Sequence, residues 1–130
     1  MVKEIEKSIL YITHNMHFTA NQLAVCNIFY NSLNTGITLA ELATRMEKTK
    51  QGEIGGILSQ LAQEIDQLEN PSQSFGFSGY SLFFERFSGD LHKIRPEFRH
   101  VIDQHPTIRS VMQISVEQIY KEYQDGINIH

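Results

Sequence analysis

The sequence predicts a mainly α-helical protein with one small β-hairpin, an α+β class. Two observations carry this. Apolar residues recur at three- and four-residue spacing along most of the chain, often just after a Thr or Pro suited to a helix start. Two short stretches, Tyr80–Phe87 and Leu91–Arg95, flank Ser88-Gly89-Asp90, a polar connection containing glycine that reads as a hairpin turn. At 130 residues the chain suits a single hydrophobic core, so residues 1–130 read as one domain.

The elements follow in order. Lys3–Met16 places Ile5, Ile9 and Ile12 at helical spacing, with Lys3, Glu4, Glu6 and Lys7 elsewhere on the surface. Thr19 is suited to cap a second helix reaching about Leu33, whose Leu23, Val25, Cys26, Phe29 and Tyr30 form a broad apolar face and predict deep burial; Gly36 supplies a left-handed stop. Thr38 and Glu41 have the spacing of a capping box, which opens a helix through Leu39, Leu42, Ala43 and Met46.

After a break at Glu47–Thr49, a longer helix runs from about Lys50 to Leu68, with Ile54, Ile57, Leu58, Leu61, Ile65 and Leu68 on its apolar side. Gly55 and Gly56 each cost this helix about 1 kcal/mol relative to alanine, and close approach of the preceding helix is the expected compensation. Residues 70–79 have loop composition, with Phe75 and Phe77 as anchors. After the hairpin, Pro96 opens a short helix to about Gln104 that Pro106 closes. Thr107 then caps a final helix to about Gln124, with Ile108, Val111, Met112, Ile119, Tyr120 and Tyr123 on one face.

Composition excludes several classes. With 41% hydrophobic and 20% charged residues and a formal net charge of -4, the chain is neither a disordered polyelectrolyte nor a generally basic nucleic-acid coat. The single cysteine, Cys26, makes no internal disulfide, sits in apolar company unsuited to a nucleophile, and points to a reducing compartment. No apolar run reaches the roughly 18–20 residues needed to cross a bilayer, and the N-terminal stretch carries acids where a signal peptide is basic. The expectation is a soluble, unprocessed, cytoplasmic protein. His14 and His17 stand three apart and His100 and His105 five apart, without the acidic or cysteine partners of a recognised metal set. No catalytic or cofactor motif is present, so neither enzyme, cofactor nor metal is expected.

The order helix, helix, tight turn, helix, hairpin resembles the winged helix-turn-helix superfamily. The resemblance rests on Thr38-Leu39-Ala40-Glu41-Leu42-Ala43 as the positioning helix, Thr49–Leu68 as the recognition-type helix and Tyr80–Arg95 as the wing. It covers about residues 19–105 and leaves flanking helices at about 2–16 and 107–124. It implies binding to double-stranded DNA by a transcriptional regulator, with the second helix of the pair in the major groove and the hairpin against the backbone or minor groove.

The charges offer a separate observation. Eight of the eleven Lys and Arg residues lie between Arg45 and Arg109. Arg45, Lys48 and Lys50 surround the turn, and Arg86, Lys93 and Arg95 stand on the hairpin, where they would neutralise phosphates if they converged. Gln51 heads the recognition-type helix, where an amide can read adenine. Glu47, Glu53 and Glu64 dilute this field and support the alternative of a winged-helix module for protein interaction or oligomerisation. The apolar stripe of the last helix either folds back on the domain or pairs with its twin in a homodimer.

Overall fold

The computed structural model describes residues 2–32, 35–46, 51–68, 83–89 and 91–128, and within them the chain is mostly helical with short antiparallel pairings. Leu33, the predicted loop with Phe75 and Phe77, the first residues of the predicted wing, Tyr80 to Leu82, and Asp90 of its turn lie outside them. No described helix is long and apolar enough to cross a membrane.

Helix α1 (Val2–Asn15) buries Ile5, Ile9 and Ile12 as their spacing predicts. Strand β1 (His17–Phe18) separates it from α2 (Ala20–Asn31), the centre of the fold. Every residue from Gln22 to Phe29 is buried, so α2 is enclosed on all sides, contacted by the helices Leu39–Arg45, Gln51–Leu68 and Val116–Glu122 and by the strand Leu91–Ile94. Its start is a reciprocal capping box: the Gln22 amide donates to Thr19 Oγ1, and the Thr19 amide donates to Gln22 Oε1.

Helix α3 (Leu39–Arg45) receives half of its predicted box, with the Glu41 amide donating to Thr38 Oγ1 at 3.1 Å. Gly36 takes the predicted positive φ before it, at 74°. Helix α4 (Gln51–Leu68) buries Ile54, Leu58, Leu61 and Ile65. Its glycines differ from expectation. Gly55 and Gly56 face outward, and no described atom lies within 4 Å of a Cβ built on either, so no neighbouring helix compensates for them.

The hairpin is present as β2 (Phe84–Ser88) and β3 (Leu91–Ile94), joined through Gly89 with φ at 53°. Register pairs Phe84 with Ile94, Glu85 with Lys93 and Arg86 with His92, and shifts between Arg86 and Ser88. Ile37 forms an antiparallel bridge with His92 on the other edge of β3, through bonds of 2.8 and 2.9 Å. The base of the hairpin is core: Phe83 stacks on Phe98 and Phe84 on Phe29, with ring centroids 4.0 and 4.3 Å apart.

Helix α5 (Pro96–Gln104) begins at Pro96 as predicted. The final helix does not run as one piece. Pro106 opens α6 (Pro106–Val111) rather than only closing α5, His105 rather than Thr107 is the N-cap residue, and Ser115 caps a separate α7 (Val116–Glu122). The break has a visible partner on α2. Asn27 Nδ2 donates to the carbonyls of Val111 and Ile114, and Asn31 Nδ2 donates to that of Met112, so side-chain amides satisfy carbonyls where α6 ends.

Ile108, Val111, Met112 and Ile119 join the same buried cluster as Ile5, Ile9 and Ile12. Most of the closing stripe thus folds back on the domain, the first of its two alternatives, while Tyr120 and Tyr123 are half-buried against the same cluster. Among the described residues, Leu10 and Tyr11 of α1 are the large hydrophobic side chains left exposed.

Strand β4 (Ile127–Asn128) pairs antiparallel with β1, a closure the sequence did not predict. Gly126, with φ at 73°, makes the approach possible, because a Cβ there would collide with the Phe18 carbonyl and the His17 ring. Gly126→Ala should therefore lower stability by about 1–3 kcal/mol. Gly55→Ala or Gly56→Ala should raise it by about 0.5–1 kcal/mol each. Urea denaturation followed by circular dichroism reads both signs.

Candidate nucleic-acid interface

The hairpin's pleat sorts its cations. Side chains alternate between faces, so the paired residues Arg86 and His92 share the face of Phe84 and Ile94, whereas Glu85 and Lys93 occupy the other. The sequence-predicted trio Arg86, Lys93 and Arg95 is therefore not one row. Arg86 is exposed. Lys93 Nζ lies 3.7 Å from Glu85 Oε1, and Arg95 Nη1 lies 3.6 Å from Glu85 Oε2. One carboxylate thus partners both cations. The Arg95 side chain is only 14% exposed, and its backbone is fixed by a hydrogen bond from its amide to the Phe83 carbonyl and by Pro96 beyond it.

Arg45 ends α3 and donates from Nη1 to Ser32 Oγ at 2.9 Å. Ser32 in turn donates to the Ile28 carbonyl, so Arg45 reaches the C-terminal end of α2. Arg99 serves the same end: its Nη1 donates to the Tyr30 carbonyl and its guanidinium lies 4.1 Å from the Tyr30 ring centroid. Positive charge at a helix C-terminus is favourable, because unsatisfied carbonyls gather there. Sequence reasoning gave Arg99 no role, since nothing in its local spacing connects it to Tyr30. The Tyr30 hydroxyl donates to Asp103, which pushes the phenol pKa up from its ordinary value.

Of the remaining predicted contacts, Lys48 and Lys50 lie outside the described residues, and Gln51 is the first residue of α4. From Gln51 to Leu68 that helix contains no Lys or Arg. Its exposed positions Gly55, Gly56, Ser59, Gln60, Gln63 and Gln67 offer small and amide side chains, and Asp66 adds an acid toward the far end. Glu64 accepts from Gln22 Nε2 at 3.2 Å. Phosphate neutralisation would thus fall to residues outside α4, while its amides suit base edges.

Cys26 is enclosed, and burial pushes its thiol up to about 12, which keeps it protonated at neutral pH. Among the described residues, no group of three or more His, Cys, Asp or Glu gathers where a metal ion could sit. The histidines instead join helices. The rings of His14 and His105 meet edge to face at 4.8 Å, and His100 Nδ1 lies 2.9 Å from Glu6 Oε1.

Burial first, and the neighbouring His14 second, hold the His105 pKa below its ordinary value near 6.5. The unfolded chain therefore binds more protons at this site than the folded one. Its stabilising contribution is full above about pH 6.5 and declines as pH falls through that value toward the folded pKa. Urea midpoints measured from pH 7.5 down to 5.5 should fall, and His105→Gln should flatten that decline.

No family model, curated protein or solved structure matches this chain.

Proposed function

We propose that this chain is a small DNA-binding protein acting as a transcriptional regulator, with α4 entering the major groove and the β2–β3 hairpin lying against the backbone. The observation that carries the reading is the bridge between Ile37 and His92. It ties the segment before the α3–α4 pair directly to the hairpin, so recognition-type helix and wing belong to one connected unit, in keeping with winged helix-turn-helix architecture. The amide-rich exposed side of α4 and the cations Arg45 on α3, Arg86 and Lys93 on the hairpin and Arg95 just after it support the same reading.

A second reading, a winged-helix module that holds a protein partner, is favoured by the absence of cations within α4 and by the carboxylate set between Lys93 and Arg95. Fluorescence anisotropy against mixed-sequence duplexes at low salt separates the two. DNA binding predicts a logarithmic affinity that falls with logarithmic salt by about 0.9 per phosphate contact. Arg86→Ala, or Lys48→Ala with Lys50→Ala, should weaken binding on all sequences, and Gln51→Ala should change sequence preference. No binding at about 50 mM salt, together with a salt-resistant protein partner in a pull-down, would transfer the function to the second reading.

A further inference from the structure

We infer that Glu85 is a built-in brake on the hairpin's sequence-independent affinity for DNA, holding Lys93 and Arg95 on one carboxylate so that neither meets a phosphate unopposed. The inference rests on the DNA-binding reading and concerns the regulation of the same surface. It begins with register. Glu85 stands directly across from Lys93, and Arg95 follows two residues further along the same side of the chain. Each carboxylate oxygen addresses a different cation, at 3.7 and 3.6 Å. Arg95 has little freedom to swing away: its side chain is largely covered and its backbone is fixed to Phe83.

A cation that already has a carboxylate beside it neutralises a phosphate less completely, and so releases fewer of the counterions condensed on the DNA. The phosphate must displace Glu85 or accept it as a negatively charged neighbour. Either course weakens contacts that position a duplex without reading it, and leaves base contacts from α4 untouched. Because phosphate contacts serve specific and non-specific complexes alike, the brake lowers affinity for every duplex and leaves discrimination to the base contacts.

The test compares the full chain with Glu85→Gln, which keeps size and removes charge. Glu85→Thr is the second variant, a β-favouring residue suited to a strand should the amide disturb the hairpin. Glu117→Gln on α7 changes net charge equally and likewise frees a partner cation, Lys121, so it controls for bulk electrostatics and for the loss of an ion pair away from the hairpin.

Against a mixed-sequence duplex at low salt, Glu85→Gln should bind about three- to tenfold tighter than wild type and steepen the salt slope by about one. That gain should vanish when Lys93→Gln and Arg95→Gln are added. A Glu85 variant with wild-type circular dichroism and unchanged affinity and slope would overturn the inference, as would an equal gain from Glu117→Gln. Binding by the wild type in those cases would leave the DNA reading standing. No binding by wild type or by any variant would remove that reading, and this inference with it.

Discussion

A helix enclosed on every side has no water to satisfy its polar groups, and α2 imposes that constraint on everything around it. Its start is closed by Thr19 and Gln22, and its end is reached by Arg45 through Ser32 and by Arg99 at the Tyr30 carbonyl. The amides it carries hold another element: Asn27 and Asn31 donate to carbonyls at the end of α6. Burial of α2 and the path of the C-terminal third are therefore two sides of one hydrogen-bonding requirement.

The same requirement shapes the electrostatics. Two of the arginines that primary order groups in the basic stretch are engaged at the α2 terminus, and Lys93 and Arg95 converge on Glu85. An acidic chain with a local cluster of cations thus does not offer that cluster whole to a polyanion. What distinguishes the two functional readings is how much positive charge stays available after the fold has used its share, and the pleat of one hairpin decides much of that.

The helices through α5 and the hairpin were legible because their signals are local: apolar spacing, a capping threonine, a proline at a first helical position, a polar turn with glycine. The split between α6 and α7 was missed although part of its signal is local, with Pro106 at a first helical position and Ser115 as a cap; the side chains that answer the carbonyls at the break lie more than 80 residues earlier in the chain. The β1–β4 pairing was hidden for a related reason. Two residues are too few for alternation to register, and their partners lie at the opposite end of the described chain. The Glu85 arrangement was within reach, since once Ser88-Gly89-Asp90 is taken as the turn, counting outward brings Glu85 close to Lys93. Weighing acids near the recognition helix alone missed it. The outward direction of Gly55 and Gly56 is a matter of tertiary placement that helix propensity cannot report.

Those two glycines leave α4 with uneven cohesion along its length. Ile54, Leu58, Leu61 and Ile65 anchor its inner face throughout, but on the outer face at Gly55 and Gly56 the helix has backbone exposed to solvent and no side chain shielding its hydrogen bonds. Opening should begin at that weak point and spread toward the α3 side before the distal half loosens, so amide protons near Gly56 would exchange with solvent ahead of those near Ile65. The part of the helix nearest its partner in the pair is then also the part most able to adjust its own winding.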